Sequence, residues 1–230
     1  YFKNLNSLGK NDEKYKSSPQ LELQSLLELR SELPLIKLTE NTSQTLNPKL
    51  SLRFNPSDMK DHSSDERRIN TDNIFDLNRF GIDDSFESGY SATVGIDYNT
   101  KNLNKDQSYL KLKLATVIRD NEESKIPSKT SLNKKNSNLF GSMDYKISKL
   151  INLEYDFAVD NNYEEFEYNS FGIDVSLNNF VTKFNFLEEN NELGSTNFLE
   201  NTTTLNINNQ NSFSFKTRRN RKINLTEYYD

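Results

Sequence analysis

Apolar and polar residues alternate one for one along much of this chain, and a 3.6-residue helical period appears almost nowhere. The clearest run is 90–98, where Tyr90, Ala92, Val94, Ile96 and Tyr98 interleave with Ser91, Thr93, Gly95 and Asp97. Successive side chains of a strand point to opposite faces, so this run predicts a strand with one apolar and one wet face. The same pattern recurs at Leu110, Leu112, Leu114, Thr116 and Ile118, between which lie Lys111, Lys113 and Ala115. It returns at Leu139–Ile147, at Leu153–Val159 and at Phe171–Leu177. Weaker runs cover 21–36, 46–55, 180–187, 198–207, 212–217 and 223–229. Within 166–177 the apolar parity switches near Asn169, which predicts a β-bulge. The total is about eleven strands, each near the ten residues that a tilted membrane-crossing strand needs.

The predicted connections alternate in length. Residues 56–87 and 121–136 form long ones, 188–194 a longer one and 161–163 a moderate one, whereas 100–105, 150–151, 178–179 and 208–210 are short. Outer-membrane barrels have this rhythm of short periplasmic turns and longer surface loops. The expected fold class is therefore all-β: antiparallel, up-and-down strands forming part of a transmembrane outer-membrane β-barrel. Residues 1–230 would belong to one such domain, with a long surface loop at about 56–87. A soluble or surface-displayed all-β binding protein would show similar alternation and is the alternative from another class.

Composition sharpens this picture. Only 33% of the 230 residues are hydrophobic and 27% are charged, a balance that by itself suggests partial disorder. The aromatics, at 11%, argue otherwise, because Tyr and Phe fall in regularly spaced runs. A barrel needs only a thin apolar band outside and stays polar inside. The net charge of −5 leaves no basic footprint for nucleic acid. Arg218, Arg219, Arg221 and Lys222 form one local cluster, read as a solvated loop tip. With no cysteine, no disulfide or thiolate metal site is possible within these residues. No apolar run is long enough for a spanning helix. The chain opens at Tyr1 and stops within a strand-like run, so it reads as an internal piece of a longer protein.

No catalytic constellation stands out, and no cofactor is expected. The single histidine, His62, lies in a polar stretch and reads as a solvated loop residue. Asp83 and Asp84 beside Glu87 could chelate a divalent cation, but an acidic pair in a loop is ordinarily just hydrated.

One segment is more specific. Residues 71–90 read T-D-N-I-F-D-L-N-R-F-G-I-D-D-S-F-E-S-G-Y and lead into the strand Val94-Gly95-Ile96-Asp97-Tyr98. The segment resembles the signature N-L-F-x-L-N-R-F-S-G-x-D-R-x-E-x-G of lipopolysaccharide-assembly outer-membrane proteins of the LptD type. Asn73, Phe75, Leu77, Asn78, Arg79, Phe80, Gly81, Asp84, Glu87 and Gly89 carry the match. Upstream, Leu33-Pro34-Leu35-Ile36 and Leu46-Asn47-Pro48, followed by Asn55-Pro56, are similar to two further strands of the family. The chain departs where the family's Ser after Arg-Phe is missing and where Ser85 replaces an Arg.

The resemblance implies a cell outer-membrane location in a Gram-negative bacterium, the final step of lipopolysaccharide transport, and an N-terminal periplasmic domain and last barrel strands that are not in this chain. It also implies a plug lipoprotein of the LptE type inside the barrel, a periplasmic bridge protein of the LptA type, and contact with outer-membrane lipids. A general porin or receptor-type barrel is the alternative from the same class. On the transport reading, Asp97, Asp144, Asp156 and Asp174 face a hydrated lumen, while Tyr90, Ala92, Val94, Ile96 and Tyr98 face lipid. Residues 57–70 have almost nothing to bury and are expected to be mobile. Ile74, Phe75, Leu77 and Phe80 would anchor the second half of the loop, with Arg79 held by Asp83 or Asp84.

Overall fold

Alternation of this kind can bury one face only by building a sheet, and the chain does so. The computed structural model describes residues 2–9, 20–104, 108–208 and 210–229. The turn expected at 100–105 ends at a residue outside this set. The described residues form thirteen strands: β1 (Phe2–Gly9), β2 (Gln20–Glu32), β3 (Leu35–Leu38), β4 (Thr42–Asn55), β5 (Gly89–Asn102), β6 (Tyr109–Arg119), β7 (Leu139–Lys146), β8 (Ile151–Val159), β9 (Phe166–Leu177), β10 (Phe180–Glu189), β11 (Asn197–Asn206), β12 (Ser212–Asn220) and β13 (Leu225–Tyr229). The described residues contain two short 3-10 turns and no α-helix. The strands pair in the order β1-β2-β4-β5 and on through successive neighbours to β13, with β3 attached to β4 off this path. The sheet is an open, partial up-and-down meander.

Three details differ from the sequence pattern. The first strand, Phe2–Gly9, has only weak alternation and escapes a reading by periodicity. The run 21–36 is interrupted at Leu33–Pro34, where proline lacks the N–H that a ladder needs. The Leu33 N–H still reaches the carbonyl of Pro48 at 3.1 Å. The bulge falls at Glu167: Ala158 pairs with Tyr168 and Val159 with Phe166, leaving Glu167 as the extra residue, two positions from Asn169.

The chain divides into two compact units, one of residues 1–33, 48–95 and 115–139, the other of 34–47, 96–114 and 140–230. In the first unit the usual burial order is reversed. On β5, Tyr90 is 55% and Val94 46% exposed, whereas Ser91 is 6% and Thr93 0%. On β2 and β4, Leu27, Leu29, Leu50 and Leu52 are exposed, while Gln24, Glu28, Ser51, Arg53 and Asn55 are buried. The register sets Leu27 against Phe54 and Leu29 against Leu52 on one face, and Glu28 against Arg53 on the other. Phe54 stacks on Tyr90 with ring centroids 4.2 Å apart.

The polar face is covered by the two long connections of this unit, 56–88 and 120–138. Met59, Ile69, Ile74, Phe80, Ile82 and Phe86 from the first connection and Ile126 and Leu132 from the second are all buried, as are Leu26, Ala115 and Val117 on the strands beneath. The connections bind each other where the His62 N–H donates to the Lys125 carbonyl (2.9 Å). The expectation of a mobile 57–70 is thus corrected. Met59, Lys60, His62 and Ile69 give this stretch a buried side that offsets its ordering entropy.

The second unit, taken by itself, also has an apolar and a polar side. Ile151, Leu153, Tyr155 and Phe157 of β8 pair with Val175, Ile173, Phe171 and Asn169 of β9 on one side. The other side carries Asn152, Glu154, Asp156, Ser170, Gly172, Asp174 and Ser176.

Candidate functional site

The two long connections are held over the polar face by a buried cluster of charges. Glu87 is its centre. Arg79 grips the Glu87 carboxylate with two parallel bonds, Nε to Oε2 at 2.8 Å and Nη2 to Oε1 at 2.5 Å. This fork-to-fork geometry joins charge attraction to directionality. Arg119, at the end of β6, donates to the same Oε1 through Nη1 and to the Ser88 carbonyl through Nη2 at 2.6 Å. Arg53 on β4 sets Nη1 3.9 Å from Glu87 Oε2 and Nη2 3.4 Å from Glu28 Oε1. Glu28 on β2 also accepts from Ser51 Oγ (2.6 Å) and pairs with Arg30 (3.2 Å).

Four arginines therefore surround two carboxylates. Backbone carbonyls take up the surplus positive charge: Arg30 donates to Phe75, Arg53 to Asp76, and Arg79 to Ile74 (3.5 Å). Arg79 also reaches the wall directly, donating to Thr93 Oγ1 at 3.0 Å and Ser91 Oγ at 3.3 Å. The cluster thus ties the long connection to β2, β4, β5 and β6. Burial pushes the Glu87 carboxyl up, but the Coulombic attraction of Arg79, Arg119 and Arg53 outweighs it and holds the group down at about 2.

The ten residues that carry the family resemblance take several distinct places. Arg79 and Glu87 form the centre just described, with Phe80 packed beside them and Arg79 lying 5.9 Å from its ring centroid. Asn78 spans the tight turn at Gly81 (φ +63°): its Oδ1 accepts from the Ile82 N–H (3.2 Å) and its Nδ2 donates to the Ile82 carbonyl (2.9 Å). Asn73 organises the preceding turn, accepting from the Asn70 N–H at 2.9 Å and donating to the Arg68 carbonyl at 3.1 Å. Phe75 and Leu77 are half-buried, and Lys49 Nζ sits 5.6 Å from the Phe75 ring. Gly89 (φ +76°) opens β5 in a left-handed conformation that suits glycine.

Two expectations are corrected here. Arg79 is held by Glu87; Asp84 instead lies 3.5 Å from Lys60 and 3.3 Å from His62. Asp83, Asp84 and Glu87 are accordingly not gathered around a common point. His62 is buried rather than solvated, with Nδ1 2.8 Å from Asp65. Arg53, Arg119, Glu28 and Arg30 escaped the sequence reading. Their signal was present, since each is a charge at a polar-parity position of a strand.

In the second unit the polar face carries cross-strand ion pairs. Lys111 meets Asp144 at 3.3 Å, Lys183 meets Asp174 at 2.7 Å, and Lys216 meets Glu200 at 3.4 Å. Asp144 and Asp174 thus have lysine partners, and Asp156 stands on the same face of β8, opposite Ser170. Asp97 occupies a polar-parity position of β5 and is half-buried.

An exposed apolar stripe backed by a buried polar wall is the inverse of a water-soluble sheet and the normal state of a strand between lipid and water. A family model described as LptD, LPS transport system D, matches residues 1–221. The chain belongs to the LptD family. It is accordingly a component of lipopolysaccharide transport in the outer membrane of Gram-negative bacteria, with lipopolysaccharide as substrate and partners within the same transport system. LptD proteins are a transport and assembly family. No curated protein matches the chain.

Proposed function

We propose that this wall of LptD strands separates lipid from a wet lumen through which lipopolysaccharide sugars pass, while the acyl chains move sideways into the outer leaflet. The observation that carries the reading is the reversed burial on β2, β4, β5 and β6: leucines and Tyr90 lie outside, with Ser51, Arg53, Ser91, Thr93 and Arg119 inside. No bond is made or broken; the protein supplies solvation. Asp97, Asp144, Asp156 and Asp174 would line the lumen, where carboxylates and lysines replace water around passing hydroxyls. The connections 56–88 and 120–138, fastened by Arg79 and Glu87, would then be surface loops folded inward over the wall.

Family membership supports two partners: a plug lipoprotein of the LptE type inside the barrel and a bridge protein of the LptA type on the periplasmic side. A photo-crosslinking residue placed at Asp174 or Asp156 of the full-length protein should capture lipopolysaccharide in growing cells, and one at Val94 should capture phospholipid. Export that proceeds normally with no lipopolysaccharide adduct at either aspartate position would sink the lumen path. Passage of small sugars at porin-like rates through the purified protein would favour a general porin.

A further inference from the structure

The exposed face of the second unit ends in a cationic rim. Its register aligns Phe171 with Phe186, Phe186 with Leu199 and Leu199 with Arg219. One step further along, the Arg221 N–H donates to the Asn197 carbonyl at 2.8 Å, and the Arg221 guanidinium lies 5.4 Å from the Phe186 ring centroid. Lys222 Nζ donates to the Ser195 carbonyl (3.3 Å), and Arg219 Nη2 to Asn224 Oδ1. Three nearby carboxylates have other partners: Glu227 pairs with Arg218 (2.8 Å), Glu200 with Lys216, and Glu188 accepts from the Asn197 amide (2.8 Å). Arg219, Arg221 and Lys222 are exposed, and their partners among the described residues are neutral.

Cations set just above an aromatic and aliphatic row mark the level at which acyl chains give way to headgroups. Within this unit the rim, at the connection 221–224, lies at the same end as the six- and seven-residue connections 160–165 and 190–196, opposite the two-residue turn 178–179. In outer-membrane barrels that is the surface end. Arginine forks match phosphate oxygens and shed water more readily than ammonium groups. We propose that Arg219, Arg221 and Lys222 bind the phosphates of a glycolipid in the outer leaflet, its acyl chains lying along Phe184, Phe186 and Leu199. The proposal rests on the reading that this face meets lipid.

The test uses the full-length protein in phosphatidylcholine nanodiscs, titrated with diphosphoryl or dephosphorylated lipid A and read by native mass spectrometry. Replacing Arg219, Arg221 and Lys222 together by Gln should weaken diphosphoryl lipid A binding at least about tenfold and leave the dephosphorylated form unchanged. Heat-modifiable gel migration checks folding, and Arg221→Gln alone, expected to weaken binding severalfold, serves if the triple variant does not fold. Unchanged affinity in the variant overturns the proposal. So does displacement by inorganic phosphate at matched concentration, or an equal loss of phosphatidylglycerol binding. A wild-type protein that binds neither form of lipid A would instead undo the transport reading itself.

Discussion

Arg79 and Glu87, eight residues apart on one connection, meet through two hydrogen bonds of 2.8 and 2.5 Å, and both side chains are buried. They close the connection on itself while Thr93 and Ser91 tie Arg79 to the strand beneath. Removing Arg79 takes away the bidentate partner of Glu87, whose charge Arg119 and Arg53 still compensate, and deprives the buried Thr93 and Ser91 hydroxyls of their donor. Arg79→Ala should therefore destabilise the folded protein by about 1–3 kcal/mol in urea unfolding from detergent. Arg67→Ala, at an exposed position of the same connection, should stay within about 0.5 kcal/mol. Equal losses for the two variants would show that the buried cluster does not hold the loop.

Acid should loosen the same cluster. Glu87 has its pKa lowered from 4.5 to about 2, so the folded state binds this proton less readily than the unfolded state does. Its contribution is whole above pH 4.5 and fades as pH falls toward 2. At about 1.36 kcal/mol per unit the contribution is on the order of 3 kcal/mol. Glu87→Gln should flatten the acid limb of the stability curve over that window. Parallel wild-type and variant curves would remove Glu87 as the titrating group.

The exposed stripe of β5 makes a different prediction. Val94→Arg should cost about 2–4 kcal/mol if position 94 lies near the bilayer midplane, because the guanidinium meets hydrocarbon. Folding titrations into lipid vesicles measure this directly. A variant that folds as readily as wild type would take the residue out of the lipid-facing set.

Gly141 has a steric reason to be glycine. A Cβ added there would collide with Cζ of Phe157, whose ring covers the position. Gly141→Ala should cost about 1–3 kcal/mol through overpacking. Adding Phe157→Leu, which removes the ring, should recover part of that loss. Failure of the double variant to gain anything over Gly141→Ala would refute the contact.

What the chain determines locally is its strands, because period-two alternation is written residue by residue in runs such as 90–98 and 110–118. Those positions also state that one face is apolar and one wet. The resemblance around Arg79 already points to the family. Periodicity could not decide which side of each strand would be buried, since alternation is the same for a soluble sheet and a membrane wall. That came from the tertiary structure, in which Thr93 is covered and Val94 is not. Nor could spacing choose Glu87 over Asp83 and Asp84 as the partner of Arg79. All three lie within one loop's reach, and the choice fell to Arg53 on β4 and Arg119 on β6. These residues are distant in sequence, and the sheet brings their charges to a single carboxylate. Residues 57–70 looked too polar to order because their few apolar side chains, Met59 and Ile69, matter only where another connection and a strand face enclose them. Such enclosure depends on long-range packing, which the local composition does not record.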